Sequence, residues 1–393
     1  MKILITVSTY YPKKDGVQKV TQYLAEGLVN KGHDVTVITS NKDEKVDSEI
    51  HNGVNIKRIN LYTKFGFYFG NKKEYIKLID EETKKCDVMI NVCTQNAFTD
   101  VILKKIEKYN CKKILYLHGI FDFKFHKINF SSITSVINKL WKEIRWGIYY
   151  KLNGKYFKKY DVITQLHEKD YGNEFFKRKY GINSVIIENA ADNDFFEKKT
   201  LKDFKKPFDK YLIYVANYDD RKNQRLAIKE FLKSNIENKI GLVLIGSQKN
   251  KYYDELKNLI NKERKKYNLK ESEKPIKLLY EVDRNLISSY VSNAYLYIMT
   301  SKWEAYPISI LESMAAGIPY ISTDVGIVKY FFGGVVSNKN DICYWIERLS
   351  NNKNDRNELS KICENYAKNN FRIDDKVELL KNEINKLFLE RNK

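Results

Sequence analysis

The sequence predicts an α/β protein built from parallel sheets in two domains. The chain has 393 residues, which exceeds the usual size of one domain and predicts two domains of about 150 to 200 residues. Strand-length apolar runs alternate with amphipathic helical stretches, and the order strand, helix, strand is typical of a parallel βαβ unit. The hydrophobic content of 43% is ample for two cores, and the 17 glycines and 5 prolines argue against a linker-rich or disordered chain.

The first domain opens with such a unit. Residues 2–7 form a continuous apolar strand, residues 8–18 a loop that leads into a helix, and residues 34–39 the second strand. The loop contains Gly16 but no GxGxxG pattern, so a dinucleotide-binding fingerprint is not supported. Further strands are predicted at residues 54–62, 87–93, 114–117, 160–164 and 184–187.

A histidine follows one of these buried strands. His118 stands directly after residues 114–117 and before Gly119. Side chains at the carboxyl end of a parallel strand project toward the usual ligand site. A lone histidine is more often structural than functional, so the residues by themselves leave both interpretations open.

A long basic helix is predicted from residue 133 to about residue 160. Apolar positions recur at helical spacing, with lysines and aromatic residues between them. Such a helix can lie in a bilayer interface, so residues 136–159 are a candidate contact for an anionic membrane surface. The alternative is a domain helix whose apolar stripe is core and whose charges are solvated. The stripe consists of Val136, Ile137, Leu140, Trp141, Ile144, Ile148, Leu152 and Tyr156.

The second domain follows a charged stretch, residues 193–209, that is predicted to be a linker. After its first strand, a loop carries Asn217, Arg221 and Lys222 ahead of a helix. A lysine ahead of a helix N-terminus is a point charge well placed for a phosphate, whereas Arg221 could equally be solvated. The strands of this domain are predicted at residues 211–215, 241–247, 276–280, 294–299 and 320–322.

The most informative stretch is residues 300–326, TSKWEAYPISILESMAAGIPYISTDVG. A loop with Glu304 precedes a helix over residues 307–316 that carries Glu312, and a glycine followed by a proline ends that helix. Ligands of parallel sheets bind at the carboxyl ends of strands, where this loop and helix start are expected. From the two carboxylates alone, helix capping and a solvated surface remain alternatives.

Glu304, seven residues, Glu312 and then Ser-Met-Ala-Ala-Gly-Ile-Pro resemble the signature of family 4 of the retaining glycosyltransferases, which have the GT-B fold. Near the N-terminus, Tyr-Pro-x-x-x-Gly-Val, a helix and Lys-Gly-His-Asp-Val-Thr-Val resemble the first domain of the same family. The resemblance covers most of the chain. It implies two Rossmann-like domains facing each other across a cleft, and transfer of a hexosyl group from a nucleotide-sugar to an acceptor hydroxyl with retained configuration.

The resemblance also implies roles for residues of the second domain. Glu304 would face the transferred sugar. Glu312 would hold the ribose hydroxyls, because a carboxylate accepts two hydrogen bonds from a vicinal diol. Lys222 would neutralise the donor diphosphate, which the helix-start amides at Ile308 and Ser309 would also face.

Three further positions complete the implied site. Backbone near Val282 would contact the base of the nucleotide. Gly16 would let its loop approach the donor phosphate or the acceptor. His118 would line the sugar site.

The chain departs from the family pattern at three positions. The family usually has Glu-Gly-Phe-Gly where this chain has Ala305 and Pro307 after its glutamate, and Pro307 has no amide proton to offer an oxygen. An arginine usually shares the role of Lys222, but Asn217 occupies that position. One positive charge is therefore lost unless Arg221 substitutes for it.

The resemblance implies no obligatory metal, and no cofactor is predicted because the nucleotide-sugar is itself a substrate. The five cysteines show no metal spacing, and the Asp-x-Asp formed by Asp192 and Asp194 is assigned to the domain junction. The predicted partners are a nucleotide-sugar, a UDP-sugar on family frequency, and a glycan or lipid-linked acceptor. The implied setting is the assembly of capsule, exopolysaccharide or lipopolysaccharide.

The net charge of +20 at pH 7 indicates an anionic partner. No nucleic-acid-binding motif is present, so a membrane surface is favoured over nucleic acid. The N-terminal apolar run is too short for a signal peptide or a membrane span. The expected location is therefore cytoplasmic, peripheral at the inner face of the membrane.

The predicted domains are residues 1–192, an acceptor domain joined by a returning helix over residues 371–393, and residues 210–370, a nucleotide-sugar domain. Three other functions stay open. They are a sugar-nucleotide epimerase or phosphorylase on the same fold, a non-catalytic partner of an active enzyme, and a basic nucleic-acid binder. Isomerised nucleotide-sugar, consumed phosphate, or tight nucleic-acid binding with a steep salt dependence would reveal these functions.

Overall fold

The structure is a computed structural model and describes residues 1–13, 15–41, 46–125, 127–130, 132–198, 200–338 and 340–389. The chain forms two compact units. Unit 1 is Met1–Asn189 together with Ile373–Lys393, and unit 2 is Ala190–Arg372. Residue 199 of the predicted linker and residues 390–393 of the predicted returning helix lie outside the described residues.

The strands described in unit 1 are β1 (Lys2–Thr6), β2 (Asp34–Ser40), β3 (Ser48–His51), β4 (Val54–Ile59), β5 (Leu61–Lys64), β6 (Phe67–Gly70), β7 (Val88–Val92), β8 (Lys112–Tyr116), β9 (Val162–Gln165) and β10 (Val185–Ile186). Eight of them form one sheet in the order β10-β9-β8-β7-β1-β2-β4-β3, parallel except for β3 against β4. The central strands are buried on both faces, which explains why they are continuous apolar runs.

The single strand predicted over residues 54–62 is wrong, because two strands occupy it. β4 ends at Ile59, which pairs with Ser40 in the large sheet, whereas Leu61 pairs with Gly70 in a separate β5–β6 hairpin. The backbone of Asn60 turns the chain and accepts a hydrogen bond from the Asn71 amide, 2.6 Å away. Apolar Ile59 and Leu61 alternate with Asn60, so the sequence pattern does not show the break at this residue.

The helices of the first 189 residues are α1 (Gly16–Asn30), α2 (Lys72–Glu82), α3 (Ala97–Leu103), α4 (Ile133–Phe157) and α5 (Tyr171–Tyr180). Short polar side chains cap most of them: Asp15, Asn96, Ser132 and Asp170 each accept a hydrogen bond from an amide of the first turn. The helix α5 ends at Gly181 in the left-handed conformation (φ 69°) that favours glycine.

The core of unit 1 is rich in aromatic residues, and α4 contributes to it with one face. Trp146, Tyr150 and Phe157 of this helix are buried. Six of the eight positions in the predicted apolar stripe are exposed instead. The alternative in which this stripe forms core is therefore wrong for Ile137, Leu140, Trp141, Ile144, Ile148 and Leu152.

The strands described in unit 2 are β11 (Tyr211–Val215), β12 (Gly241–Gly246), β13 (Ile276–Tyr280), β14 (Leu296–Met299), β15 (Tyr320–Thr323) and β16 (Gly334–Ser337). They form a parallel sheet in the order β13-β12-β11-β14-β15-β16. The chain runs from β11 outward to β13 and then restarts on the other side of β11. This reversal is a topological switch point.

The helices described in unit 2 are α6 (Asn193–Phe196), α7 (Gln224–Lys233), α8 (Lys251–Lys266), α9 (Arg284–Ser292), α10 (Ile308–Ala315), α11 (Ile342–Asn351) and α12 (Lys353–Asn370). The stretch predicted as a linker thus begins with α6, whose Phe195 and Phe196 are buried. The predicted end of α10 is confirmed. Gly317 adopts a φ of 70°, and its amide and that of Ile318 bond back to carbonyls of the helix.

The last helix, α13 (Ile373–Leu389), belongs to unit 1 and packs on α1. Its buried residues recur at helical spacing and include Val377, Leu380, Ile384 and Leu387. The fit is close, because a Cβ added at Gly27 of α1 would lie 2.4 Å from a methyl group of Val377. Among the described helices, none is both long and apolar enough to cross a membrane.

Candidate active site

The predicted site residues of unit 2 lie at its topological switch point. The loop after β11 and the loop after β14 leave the carboxyl edge of the sheet on opposite sides of the reversal. Such divergent loops form the crevice in which open α/β sheets bind ligands. Lys222 lies in the first loop and Glu304 in the second, and the structure brings the two side chains together.

Lys222 and Glu304 form an ion pair with little exposure to solvent. Lys222 Nζ lies 2.6 Å from Glu304 Oε1, and Ser301 Oγ donates to the same oxygen at 2.7 Å. Glu304 is 8% exposed, and the side chain of Lys222 is 19% exposed. A carboxylate this buried depends on its partners, so the pair fixes the lysine ammonium at one place on the sheet edge.

The buried Tyr214 of β11 links the two loops. Its hydroxyl donates to the carbonyl of Lys222 at 2.8 Å and lies 2.8 Å from Ser301 Oγ. Thr323 Oγ1 donates to the carbonyl of Ser301 at 2.6 Å, which ties the second loop to β15. The sequence analysis did not assign a site role to Tyr214 or Ser301. Ser301 could have been identified, because it opens the loop after an apolar strand. Tyr214 lies inside such a strand, and nothing in the sequence pattern indicates a role for it.

Glu312 lies on α10 and is 4% exposed. Arg284 donates from Nη2 to Glu312 Oε1 at 2.5 Å. Burial raises the pKa of Glu312, and the charge and hydrogen bond of Arg284 oppose that rise. The sequence analysis missed Arg284. Its position directly after the loop that leaves β13, at the same carboxyl edge, was the signal that could have indicated it.

The start of α10 presents backbone amides without a side-chain cap. Pro307 is the N-cap residue and makes no side-chain hydrogen bond to the helix. Ile308 and Ser309 occupy the first two helical positions and are partly exposed. Because the first amides of a helix have no partner within it, they can bind an anionic group.

The remaining predicted positions of unit 2 are more exposed. Asn217 is exposed, and its carbonyl accepts a hydrogen bond from Gln224 Nε2 at 2.9 Å. Arg221 is also exposed, with its guanidinium 5.9 Å from the ring centre of Trp303. Val282 is partly buried in the short loop between β13 and α9. The structure therefore groups Lys222, Glu304 and Ser301 tightly and leaves Asn217 and Arg221 at the surface.

Unit 1 carries the other two predicted site residues. Gly16 is exposed and is the first residue of α1. His118 follows β8, and its Nε2 is buried without a hydrogen-bond partner among the described residues. Burial lowers the pKa of His118 from 6.5 to about 4, so the imidazole is neutral near pH 7. A neutral imidazole can exchange hydrogen bonds but supplies no charge.

No group of three or more His, Cys, Asp or Glu side chains that could hold a metal occurs within the described ranges. The prediction that the reaction needs no metal stays a prediction. The acidic pair Asp192 and Asp194 stands at the start of unit 2, flanking the first residue of α6.

Two family models match this chain. Residues 195–370 match the family described as "Glycosyl transferases group 1", and residues 14–170 match "Glycosyltransferase Family 4". The first range lies in unit 2 and the second in unit 1. The chain therefore belongs to the family 4, group 1 glycosyltransferases, and it is a transferase enzyme.

Individual proteins agree with this assignment. The chain is 25% identical over 338 residues to the O-antigen biosynthesis glycosyltransferase WclY of Escherichia coli, covering 84% of this chain and 82% of that protein. It is 32% identical over 104 residues to an E. coli UDP-Gal:alpha-D-GlcNAc-diphosphoundecaprenol alpha-1,3-galactosyltransferase, covering 25% of this chain and 27% of that protein.

A solved structure confirms the predicted GT-B fold. The sucrose-phosphate synthase from Thermosynechococcus elongatus superposes on this chain with a TM-score of 0.73. The superposition covers 99% of both chains at 14% sequence identity. At this identity the likeness concerns the fold alone.

Proposed function

We propose that this protein is a retaining glycosyltransferase that moves a sugar from a UDP-sugar to a glycan or lipid-linked acceptor in bacterial surface polysaccharide biosynthesis. The observation that carries the proposal is the buried pair of Lys222 and Glu304 at the switch point of unit 2. It holds a cation and a carboxylate where a parallel sheet binds its ligand.

The donor would bind along the carboxyl edge of unit 2. Lys222 and the amides of Ile308 and Ser309 supply positive charge and donors for a diphosphate. Glu312, held by Arg284, supplies acceptors for a ribose diol. Val282 lies in the loop after the edge strand β13 and would contact the base. The UDP moiety is favoured because one relative is named for a UDP-Gal donor.

The reaction would break the bond between the anomeric carbon and the distal phosphate oxygen. The nucleoside diphosphate leaves with the bonding electrons, and the acceptor hydroxyl forms the new glycosidic bond on the same face of the sugar. Its proton goes to the departing phosphate oxygen, so the step balances without another reactant. Stabilising the developing phosphate charge is the main task of the enzyme, and Lys222 is placed for it.

The ion pair gives Lys222 a defined position before the donor arrives. Its stem could otherwise take many conformations, and ordering it during the reaction would add an entropic cost. Glu304 would hold the ammonium in place and then face the hydroxyls of the sugar. His118, neutral and with Nε2 unpartnered among the described residues, would be able to exchange a hydrogen bond with a sugar hydroxyl.

The acceptor would be a lipid-linked or an anionic glycan, used at the inner face of the cytoplasmic membrane. One relative is named for an acceptor linked to diphosphoundecaprenol, and another for O-antigen biosynthesis. The net charge of +20 suits an acceptor or surface that carries phosphate.

A non-catalytic partner of another glycosyltransferase is the second candidate. Two observations favour it: Pro307 removes an amide at the start of α10, and Asn217 places no charge beside Lys222. The intact pair of Lys222 and Glu304 favours an active glycosyltransferase over a non-catalytic partner.

A donor panel tests the proposal. UDP-, GDP-, ADP- and CMP-sugars are screened for thermal stabilisation and slow hydrolysis, with wild type, Glu304→Gln and, as a matched control, the exposed glutamate variant Glu358→Gln. We expect UDP-sugars to stabilise the wild type and the control, and hydrolysis to be lost in Glu304→Gln alone. Stabilisation without hydrolysis in any variant would favour the non-catalytic partner, and the absence of stabilisation by every nucleotide would contradict both.

A further inference from the structure

Unit 1 exposes a continuous apolar row along α4. Every third or fourth residue from Ile133 to Leu152 is a large aliphatic side chain that faces solvent, with exposed fractions from 48% to 80%. Over 19 intervals at 1.5 Å the row is about 28 Å long. Soluble proteins rarely leave such a patch uncovered unless it binds something. The row consists of Ile133, Ile137, Leu140, Ile144, Ile148 and Leu152.

The β5–β6 hairpin extends this row sideways. Phe65 at its turn is 80% exposed, and Phe67 and Phe69 on β6 are 50% and 43% exposed. The ring of Phe67 lies 6.0 Å from that of Trp141 on α4. The two elements therefore present one apolar surface, which we call the α4–hairpin face.

The hairpin is fixed to α4 rather than loosely attached. Arg145 of α4 lies 4.5 Å from the ring centre of Phe67 and donates to the carbonyl of Gly66 in the turn. Deeper in the unit, Asp100 of α3 accepts hydrogen bonds from Tyr68 of the hairpin and from Tyr149 of α4. These hydrogen bonds and ring contacts hold the exposed phenylalanines in an outward orientation, as expected of a binding surface.

The charges around this face are positive. The exposed charged residues of α4 are Lys142, Lys151 and Lys155. The acidic residue of the helix, Glu143, is only partly exposed and pairs with Lys139 at 3.2 Å. Lys64 of the hairpin is also exposed. A second copy of the chain docked face to face would set lysines against lysines, which disfavours a symmetric dimer.

We propose that the α4–hairpin face docks on an anionic lipid bilayer, with the aliphatic row and the hairpin phenylalanines in the interface and the lysines at the headgroups. An exposed apolar row on a helix that also carries exposed lysines suits a negatively charged bilayer interface. The inference rests on unit 1 alone. It deepens the proposed function, because it names the surface that would bring the enzyme to a lipid-linked acceptor.

Vesicle co-sedimentation tests the proposal with full-length protein and phosphatidylcholine vesicles, with and without phosphatidylglycerol. The variants are Ile144→Gln with Ile148→Gln on α4, and Phe65→Gln with Phe69→Gln on the hairpin. The control is Leu379→Gln, an exposed apolar residue on α13 of the same unit. We expect wild type and control to bind the anionic vesicles, each double variant to bind about tenfold more weakly, and added salt to weaken binding.

A second readout reports on the face itself. Trp141 is 44% exposed, and docking should place its indole ring in less polar surroundings. We expect a blue shift of tryptophan emission with anionic vesicles that is absent in Trp141→Phe. Equal binding by wild type and both double variants would overturn the proposal. So would equal binding to vesicles lacking phosphatidylglycerol, or a dimer of the wild type that the double variants dissolve.

Hydrolysis of the donor by water separates this proposal from the proposed function. It needs no lipid and involves none of the substituted side chains, so the double variants should keep it at the wild-type rate, which also shows that they fold. If the wild type binds vesicles but does not hydrolyse the donor, the proposed transfer reaction would be overturned and the docking proposal would remain. Hydrolysis without vesicle binding would do the reverse.

Discussion

The carboxyl edges of the two parallel sheets carry different kinds of polar group. In unit 2 the groups are charged and paired, as Lys222 with Glu304 and Arg284 with Glu312. At this edge of unit 1 two uncharged groups stand out: the Nε2 atom of His118 and the side-chain amide atoms of Gln165 are buried and lack hydrogen-bond partners among the described residues. We infer that unit 2 would bind the charged nucleotide, whereas these uncharged groups of unit 1 would contact hydroxyl groups.

Removing the cation of unit 2 should have the largest effect. We expect Lys222→Ala to lower kcat for donor hydrolysis by about 100- to 1,000-fold, as for the loss of one donor to a developing oxyanion. Lys222→Arg should recover part of this loss, because it restores the charge with different geometry. Steady-state kinetics with saturating UDP-sugar measures both. A fall in activity below tenfold for Lys222→Ala would show that the charge of unit 2 does not serve the leaving group.

The second pair of unit 2 should affect binding more than turnover. We expect Glu312→Gln and Arg284→Gln to raise KM for the donor about tenfold with a smaller change in kcat, because they weaken charge-assisted hydrogen bonds to the ribose. The Arg284 variant tests how far Arg284 positions Glu312, because it leaves the carboxylate of Glu312 in place. Unchanged KM in both variants would contradict the assignment of Glu312 to the nucleotide.

The low pKa of His118 predicts that stability depends on pH. The pKa of His118 is about 4 in the folded protein against 6.5 ordinarily, so the unfolded state binds more protons between these values. The stability of the wild type relative to His118→Gln should be constant above about pH 6.5 and fall as the pH drops toward 4. Thermal unfolding across this range measures it. A relative stability that changes between pH 7 and 8 would show that His118 is charged near neutrality.

The buried carboxyl group of Asp100 in unit 1 should show the opposite slope with pH. Burial raises the pKa of Asp100 from 3.8 to about 7, against the hydrogen bonds of Tyr149 and Tyr68. The folded state then binds more protons than the unfolded state between these values. The stability of the wild type relative to Asp100→Asn should fall as the pH rises from about 4 to 7 and then level off. If the stability of the wild type relative to Asp100→Asn rose over this pH range, the raised pKa of Asp100 would be contradicted.

The sequence predicted the sheet of unit 2 well because its strands are short apolar runs separated by charged helices and punctuated by Gly317 and Pro319. It predicted β4 and β5 poorly, since alternation of apolar residues continues across Asn60 while the pairing partner changes. Register and partner are properties of the sheet and are not encoded in local periodicity.

In the candidate site, too, the local sequence did not reveal which residues contact each other. Lys222, Glu304 and Glu312 were marked by motif spacing, and Lys222 and Glu304 prove to be in contact. Tyr214 and Arg284 were missed because their contacts join segments 87 and 28 residues apart, respectively. The outward direction of the apolar row on α4 was undetermined too, because that helix has a second apolar face, with Trp146 and Tyr150, and only packing decides which one is buried.

The most direct test of the account is calorimetric titration of UDP into the wild type, Lys222→Ala, Glu312→Gln and the control Glu358→Gln, without sugar or acceptor. Binding alone tests whether the charged edge of unit 2 holds the nucleoside diphosphate. The account predicts one UDP site in the wild type and the control, and binding weakened about tenfold or more in the two site variants. Equal UDP affinity in all four proteins would contradict it.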